Sequence, residues 1–394
     1  MTGKDKLDLT FDLLIKGGRV VDPSRDLEGA RDIGVRNGRI AAVGADLGAA
    51  RARHVIDAAG CLVLPGIVDL HAHVYPYGSA IGLPADELVP QSCTTTAVSA
   101  GDAGANNFAG FRRLAIAQSR TRLFAFVHIA NHGLSGFPVP EMVNIDHADV
   151  EVAARAVVEN RDVAIGIKVR QTRNIVGAHG LEPLRRAIAA AELAAGGARV
   201  MCHIGDVPST LAELLDLMRP GDIVTHAYSG AGNNIVKDGR VLDAARAAQA
   251  RGVIIDVGHG AGSFDYTVIE AALAQGLPPT TISSDIHAFS SSAPGRPFMP
   301  WVMSKFLNLG FSLSEVVAMS TVVPARIIDR VDKLGTLQEG APADVAILRL
   351  VEEEVRFVDT RGNTRQGSRY LAPVQTIRAG IPFGGPHLVP FAMS

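Results

Sequence analysis

The sequence predicts an α/β protein in which a (β/α)₈ TIM barrel carries a small β-sandwich domain formed by the two ends of the chain. Eight short apolar runs recur through the middle of the chain, and Ala- and Leu-rich stretches with helical spacing separate most of them. The two ends contain only short alternating runs and glycine-rich turns. We therefore expect the β-sandwich at 1–63 and 335–394 and the barrel at 64–334.

The eight runs are apolar on both faces, which is typical of strands in a buried parallel sheet. A barrel domain of about 250 residues has room for eight strand–helix units. A doubly wound open sheet is the alternative, but the glycine-rich phosphate loop expected between its first strand and first helix is missing. The runs are 67–74, 94–101, 123–130, 164–171, 198–205, 222–229, 252–260 and 280–287.

The chain ends have the pattern of strands and tight turns. The N-terminal runs are FDLLIKGGRVVD, DIGVRNGRIAAVG and RHVIDAAGCLVLP; the first contains a Gly-Gly pair and the second an Asn-Gly pair, which predict turns. The last sixty or so residues have the same character, for example in GSRYLAPVQTIRAGIPF. Strands from both ends are therefore expected to pair in one domain.

Composition narrows the class of protein. The 394 residues are 47% hydrophobic and 20% charged with a net charge of −2, so the basic surface of a nucleic-acid binder is not expected. No run approaches the ~18 apolar residues of a transmembrane helix, and the start has no signal-peptide pattern. Cys61, Cys93 and Cys202 lack paired spacing, which favours a reducing compartment. We expect a cytoplasmic protein with a small-molecule substrate and no nucleic-acid or membrane partner, either a monomer or a homo-oligomer.

The polar side chains of the barrel region lie at the carboxyl ends of the apolar runs, where barrel enzymes build their active sites. Two histidines two apart on a strand point the same way, so His71 and His73 can bind one metal ion. Histidines and an aspartate also occur at the ends of later strands. A shared metal site explains this pattern better than chance does. Such ligands suit Zn²⁺, with Mn²⁺, Fe²⁺ and Ni²⁺ as alternatives. The strand-end residues are His71, His73, Lys168, His203, His226 and Asp285.

Lys168 lies in AIGIKVRQTR (164–173), which begins as a buried strand. Burying an ammonium group is costly unless it is paired or loses its charge. One explanation is a structural ion pair with Asp285 or another acid. The other is a chemical role.

As a set, PGIVDLHAH, GIKVR, MCHIG, VTHAY and SSDIH resemble the amidohydrolase superfamily of the binuclear metal type, and the resemblance covers essentially the whole chain. It implies a metal-dependent barrel inserted in a β-sandwich. The phrases VGAHGLEPL, HAYSGAGNNIVKDGRVL, MSKFLNLGFSLSEVV and QTIRAGIPF are similar to a deacetylase-like (amidohydrolase/deacetylase, dihydroorotase-like) subgroup. Members of that subgroup hydrolyse amides or carboxylate esters of small acids.

The resemblance also implies the metal chemistry. Two divalent metal ions, with Zn²⁺ first, would be bridged by an N6-carboxylysine at Lys168. His71, His73 and Asp285 would bind the more buried ion, and His203 and His226 the other. A hydroxide bridging the metals would be the nucleophile. Asp285 would be the catalytic acid and base that moves its proton to the leaving group.

Substrate recognition is less clear from the sequence. Dihydroorotases of this superfamily carry an arginine soon after the first histidine pair, where this chain has Tyr75 and Tyr77. Arg170 could bind a substrate carboxylate instead, and a salt bridge to a loop acid is its alternative. The other substrate-binding candidates, each weighed against a structural role, are Tyr228, His259 and His287.

The remaining histidines are expected outside the site, His128 as a structural residue and His54, His147 and His387 at the surface. The segment after the last run contains Phe298 and Trp301. They could form an apolar wall of a lid or belong to the loop before the last helix.

The predicted function is a metal-dependent hydrolase of the deacetylase or carboxylesterase type. Its substrate would be a small carboxylate-bearing ester or amide, such as an O-acetyl hydroxy acid or an N-acyl amino acid. A cyclic amidase of the dihydroorotase or hydantoinase type is one alternative. A non-catalytic structural paralogue is the other, although a scaffold has no reason to keep costly buried polar groups.

Overall fold

The computed structural model describes residues 10–48 and 52–383, which form a barrel and a sheet domain built from both ends of the chain. The strands are β1 (Phe11–Asp22), β2 (Leu27–Arg36), β3 (Arg39–Gly44), β4 (Ala52–Asp57), β5 (Leu62–Pro65), β6 (Ile67–Ala72), β7 (Thr94–Gly104), β8 (Arg122–His128), β9 (Ala164–Gln171), β10 (Arg199–Ile204), β11 (Ile223–Thr225), β12 (Val236–Lys237), β13 (Arg240–Val241), β14 (Ile254–Ile255), β15 (Val345–Val351), β16 (Val355–Val358), β17 (Thr364–Gly367), β18 (Tyr370–Arg378) and β19 (Ile381–Phe383).

The helices lie mainly between the barrel strands. They are α1 (Ala85–Ser92), α2 (Phe108–Phe111), α3 (Val150–Glu159), α4 (Arg173–Val176), α5 (Glu182–Ala194), α6 (Leu211–Leu217), α7 (Asp243–Ala250), α8 (Tyr266–Ala274), α9 (Met299–Asn308), α10 (Leu313–Ser320) and α11 (Val322–Ile328). Their buried faces are rich in small residues. In α5, for example, Ala187, Ala190, Ala191 and Ala194 recur at three- and four-residue spacing and are buried, and the helix packs on β9 and α3.

The barrel prediction is confirmed. Seven parallel strands pair in chain order, from β6 through β7, β8, β9, β10 and β11 to β14. The expected eighth strand is reduced to two parallel bridges, Thr281 with Asp256 and Ile286 with Ala72, which close the barrel between β14 and β6. A continuous strand is interrupted because Asp285 has a φ of 47°, outside the extended range of a ladder.

The sixth and seventh strands are shorter than predicted for a similar reason. The backbone leaves the extended conformation at His226, with a φ of 68°, and at Gly258, with a φ of 49°. His226 directly follows β11, and Gly258 lies three residues beyond the end of β14, in the region where the functional side chains begin. The carboxyl end of the barrel is therefore shaped by local left-handed backbone conformations, which cannot be predicted from the apolar runs of the sequence.

The second domain uses strands from both ends of the chain, as expected. Its mixed eight-stranded sheet runs β19-β18-β15-β5-β1-β2-β3, with β4 also pairing with β1. The junction between the chain ends is the antiparallel pairing of β5 with β15. A separate hydrophobic core fills this domain; its members include Leu13, Val20, Val63, Leu337 and Ile347.

One turn prediction is confirmed and one is wrong. Asn37-Gly38 joins β2 to β3 as a two-residue turn with φ of 51° and 70°. Gly17-Gly18, in contrast, lies inside β1 as a bulge, where that strand changes its parallel partner from β4 to β5. Glycine is needed there because a Cβ on Gly18 would lie 2.3 Å from Cγ2 of Val63.

In the described part of the chain, no helix is both long and apolar enough to cross a membrane.

Candidate metal centre

His71 and His73 meet Asp285 at the carboxyl end of the barrel. Nε2 of His71 lies 3.1 Å from Oδ1 of Asp285, and Nε2 of His73 lies 3.2 Å from the same oxygen. All three residues are buried, and their ligand atoms lie within 4.8 Å of one another, close enough to hold one metal ion. The structure thus brings together these three predicted residues from the first and last barrel segments.

Asp285 is held in this position by a strained backbone. Its φ of 47° is unusual for a residue with a side chain, and its amide donates to the carbonyl oxygen of His71 at 2.7 Å. Gly260, on the loop after β14, lies directly against the carboxylate. A Cβ at that position would lie 2.3 Å from Oδ2 of Asp285.

The outer nitrogen of each histidine in the pair is bonded to the protein. Nδ1 of His73 lies 2.9 Å from Oδ1 of Asp102, and Oδ2 of the same carboxylate accepts from Ser99 Oγ at 2.7 Å. Nδ1 of His71 lies 2.8 Å from Oγ1 of Thr225, whose hydroxyl donates to Asp256 at 2.8 Å. Each Nδ1 is therefore a donor, which turns the Nε2 lone pair towards the centre.

Asp102, Thr225 and Asp256 were not predicted from the sequence. Asp102 and Asp256 are isolated acids in otherwise apolar strand runs, SAGDAG and VIIDVG, and that is the signal that could have identified them. Thr225 offers no comparable signal, because threonine is common in strands.

His203 and His226 form the other side of the centre. Their ring centroids are 4.3 Å apart, and the His226 ring is 5.0 Å from that of His71. Nδ1 of His226 donates to the carbonyl oxygen of Gly258 at 2.6 Å. Nε2 of His226 is buried and has no hydrogen-bond partner within the described ranges, which is costly unless something binds it.

The protonation states suit metal binding. Burial lowers the pKa of His71 and of His203 well below the ordinary value, and it lowers the pKa of His226 to about 4. Neutral imidazole is the form that binds a metal ion. His73 differs, because burial opposes its protonation but Asp102 and Asp285 raise its pKa to about 9. A divalent cation on the Nε2 side would take the place of that second proton.

Lys168 lies beside this cluster on β9. Its Nζ is 3.5 Å from Nε2 of His71, and the side chain is buried. Among residues 10–48 and 52–383, no carboxylate oxygen comes within 4.0 Å of Nζ, so the ion pair with Asp285 is not formed. Burial lowers the pKa of Lys168 to about 8, although Asp285 opposes the shift. The packing is tight, since a Cβ on Gly101 would lie 2.6 Å from Cγ of Lys168.

Arg170, two residues further along β9, is paired with a loop acid. Its Nη1 lies 3.3 Å from both carboxylate oxygens of Glu141. The guanidinium also lies 5.9 Å from the ring centroid of Phe137, on the same loop. The side chain keeps 18% of its surface exposed, so it stands at the rim of the barrel.

The three other candidates for substrate contact occupy different surroundings. His287 is partly exposed, with its ring centroid 6.0 Å from that of His73. Tyr228 is buried and donates its hydroxyl to the carbonyl oxygen of Leu277 at 3.1 Å, away from the cluster. His259 is buried and bonded through both ring nitrogens. Tyr228 and His259 therefore do not fit the substrate-binding role predicted for them.

Of the remaining residues, His54 and His147 are exposed as expected, His128 is buried 3.4 Å from Glu141, and His387 lies outside the described residues. Trp301 is not part of a lid. It lies on α9 with its ring 4.8 Å from Phe357, against the C-terminal segment, and Phe298 directly precedes the same helix.

Comparisons with known proteins show which family this chain resembles. Residues 337–383 match a family model described as a deacetylase-like composite domain. A deacetylase of Agrobacterium fabrum is 35% identical over 339 residues, which cover 86% of this chain and 82% of that protein. A deacetylase of Enterococcus faecalis is 30% identical over 376 residues, covering 94% of this chain and 99% of that protein.

Two solved structures resemble nearly the whole chain. A crystal structure of an adenine deaminase has a TM-score of 0.87 and 30% identity, covering 95% of this chain and 99% of that one. A crystal structure of a dihydroorotase has a TM-score of 0.87 and 31% identity, covering 96% and 99%. From these matches and the His-His-Asp cluster at the carboxyl end of the barrel, we conclude that the chain belongs to the amidohydrolase superfamily, among its deacetylase-like members, and is a hydrolase.

Proposed function

We propose that this hydrolase cleaves an ester or amide bond in a small carboxylate-bearing substrate, as a deacetylase or carboxylesterase does, with the help of two divalent metal ions. The observation that carries the proposal is the convergence of His71, His73 and Asp285 beside a buried lysine without a carboxylate partner in the described ranges. A buried cluster of this kind is costly to maintain without a ligand.

The donor set fits metal ions. His71, His73 and Asp285 would hold the first ion, because their three ligand atoms already converge. His203 and His226 would hold the second, and the buried Nε2 of His226 would gain the partner it lacks. Imidazole and carboxylate ligands suit Zn²⁺.

Lys168 would bridge the two ions after carboxylation. Its neutral amine would attack CO₂, so that an N–C bond forms while one C=O π bond opens onto oxygen. The nitrogen would then lose one proton to solvent, and the product carbamate has two oxygens and a negative charge. Burial lowers the pKa of Lys168 to about 8, which favours the neutral amine, and cations on either side would stabilise the anion.

When bound, the metal ions would lower the pKa of a water molecule and polarise the substrate carbonyl. Asp285 would take the proton of that water and pass it to the leaving atom. Burial alone would raise the pKa of Asp285, but His71 and His73 hold it well below its usual range, so the carboxylate begins as a base.

Arg170 is the candidate for binding the substrate carboxylate. Its guanidinium is fixed by Glu141 at the rim of the barrel and remains partly exposed. A planar group held in this way can bind a second carboxylate with little loss of side-chain entropy. His287, beside His73 and partly exposed, would contact the same substrate.

The test combines metal analysis with a substrate screen. We expect about two metal ions per chain when the protein is produced with Zn²⁺ and bicarbonate, and turnover of O-acetyl hydroxy acids or N-acyl amino acids. One ion or none in every preparation would contradict the binuclear centre. Loss of turnover when the substrate carboxylate is replaced by an amide would support the role of Arg170.

A cyclic amidase is the second candidate, because the dihydroorotase structure shares 31% identity with this chain. The position after the histidine pair argues against it. Tyr75 is buried there, with its ring 4.8 Å from that of Phe111, and supplies no cation. Dihydroorotate and hydantoins belong in the same screen. If the enzyme hydrolyses these rings and none of the linear compounds, a cyclic amide replaces the linear ester or amide as the proposed substrate.

We also propose that the enzyme acts in the cytoplasm on a small molecule. All three cysteines are free and buried, which suits a reducing compartment.

A further inference from the structure

Lys305 is a second buried lysine, and the proposed reaction does not use it. Only 1% of its surface is exposed. Its Nζ contacts Nε2 of His259 at 2.7 Å and the carbonyl oxygens of Gly295 and Val358 at 2.9 and 2.7 Å. An ammonium has three N–H donors, so three acceptors use all of them. Within the described residues, no carboxylate oxygen lies within 4.0 Å of Nζ, and the carboxylate of Asp359 acts on its charge only from a greater distance.

The three acceptors belong to three separate segments. His259 follows β14, Gly295 lies in the loop after the eighth barrel segment, and Val358 ends β16 in the C-terminal hairpin. Lys305 itself is on α9. A single side chain therefore ties two loops at the carboxyl end of the barrel to the C-terminal part of the chain.

His259 continues this connection towards the metal centre. Because its Nε2 accepts from Lys305, its Nδ1 donates to the carbonyl oxygen of Gly260 at 3.0 Å. Phe264 stacks on the ring at 4.8 Å and fixes its plane. Gly260 is the residue that lies against the carboxylate of Asp285.

A lysine is a costly choice for this position. An apolar side chain of similar length would fill the space without burying a charge, and such replacements are often neutral or stabilising. Such a side chain, for example methionine, has no donor and could not hold His259 by a hydrogen bond. The lysine therefore supplies an orientation that packing alone would not give.

We propose that Lys305 is a positioning residue, which through His259 holds the Gly260 backbone against Asp285 and, through the carbonyl of Val358, ties that loop to the C-terminal hairpin. The inference rests on the proposed role of Asp285. It also explains why His259, at the end of a barrel strand, is buried instead of facing the substrate.

The hairpin has other attachments to the barrel. Arg365 binds Glu270 through two hydrogen bonds of 2.6 and 2.7 Å, and Phe357 contacts Trp301. Removing the Lys305 amine should therefore leave the hairpin docked and the fold intact. Glu270→Gln weakens the attachment of the hairpin to the barrel without removing a hydrogen bond of His259, and it provides a matched control.

The experiment compares Lys305→Met and Glu270→Gln in the full-length, metal-loaded protein. We expect Lys305→Met to lower kcat by about tenfold or more while KM changes little, because a small displacement of a catalytic group costs rate more than binding. Glu270→Gln should retain the kcat of the unchanged protein. His259→Gln, which keeps an acceptor near the position of Nε2, should lose less activity than His259→Leu.

Hydrogen exchange provides a readout that needs no substrate. Amides of residues 258–262 should exchange faster in Lys305→Met and not in Glu270→Gln. Unchanged exchange and unchanged kcat in Lys305→Met, or equal losses in both variants, would overturn the inference. If the unchanged protein hydrolyses none of the acyl substrates but the exchange difference is found, the proposed function fails while the positioning role is supported.

Discussion

Nζ of Lys168 lies 3.5 Å from Nε2 of His71, on the side of the imidazole that faces Asp285. An ammonium in that place competes with a metal ion for the same nitrogen and repels it. Carboxylation would remove the conflict, because it replaces a cation by an anion that binds metal. This short distance is therefore the strongest reason to expect chemistry at Lys168 and not a structural ion pair.

Lys168→Ala should reduce the metal content from about two ions per chain to one or fewer and lower kcat/KM by more than about 100-fold, beyond the range for outer partners of ligands. The reason is that the proposed bridging anion could no longer form. Elemental analysis and steady-state kinetics measure both effects.

Added acetate or propionate should restore part of the metal content by supplying carboxylate oxygens. Lys237→Ala, at an exposed lysine, is the control. Full metal content and activity in Lys168→Ala would eliminate the bridge.

Asp102→Asn should weaken metal binding by about 10- to 100-fold. Asp102 accepts from Nδ1 of His73 at 2.9 Å and fixes the direction of its Nε2, whereas an amide can also present a donor to that nitrogen. Competition with a chelator measures the affinity. Asp86→Asn removes a carboxylate that accepts from Ser119, Arg120 and Thr121, away from the centre, and should leave metal affinity unchanged. Equal affinities in Asp102→Asn and the unchanged protein would refute this support role.

The central part of the site could be predicted because its geometry follows from strand periodicity. Residues two apart on a strand share a face, so His71 with His73, and Lys168 with Arg170, could be placed from spacing alone. The order of the barrel strands follows the order of the chain, which brings Asp285 beside His71 without knowledge of the loops. The first relationship depends on residues close in the sequence, and the second depends only on the order of the strands, so neither requires knowledge of the loops.

The misassigned residues depend on contacts that spacing does not encode. His259 was expected to face the substrate, but its partner is Lys305, 46 positions further along the chain. Gly258, between the end of β14 and His259, has a φ of 49°, which redirects the residue that follows. The direction of the Tyr228 side chain is likewise set by an acceptor far along the chain, the carbonyl oxygen of Leu277. Long-range partners and left-handed backbone conformations are set by the whole fold.

Gly260→Ala should lower kcat by about 100-fold, in line with the cost of moving a catalytic group by roughly 1 Å. The new Cβ would lie 2.3 Å from Oδ2 of Asp285, and the φ of 52° at this position disfavours any side chain. Gly262→Ala is a matched control two residues away, with no heavy atom within 4 Å of its added Cβ. Steady-state kinetics and thermal unfolding separate the catalytic effect from general destabilisation. If both variants retained full activity, close contact at Gly260 would have no catalytic importance.

Arg170→Met should raise KM for a carboxylate-bearing substrate and have little effect on kcat, because it removes binding that is equal in the ground and transition states. The same variant should treat an amide-capped analogue of the substrate much as the unchanged protein does. Comparing the two substrates in both proteins isolates the contribution of the charge. Unchanged kinetics on the carboxylate substrate would remove Arg170 from the binding site.

Glu141 should make stability depend on pH in acid. Burial alone would raise its pKa, but His128 and Arg170 lower it from 4.5 to about 2. The unfolded chain therefore binds a proton at higher pH than the folded one does. The stability that this carboxylate contributes is complete above about pH 5 and is lost as the pH falls through the folded pKa.

The measurement is the free energy of unfolding in urea for the unchanged protein and for Glu141→Gln, taken from pH 7 down to the lowest pH at which both remain folded. The advantage of the unchanged protein should shrink below about pH 5, as the linkage relation requires. Glu353→Gln, at an exposed position, controls for the general effect of removing a carboxylate. A difference that stays constant down to pH 3 would mean that neither His128 nor Arg170 stabilises the ionised carboxylate, and Arg170 would then have to be oriented by other groups.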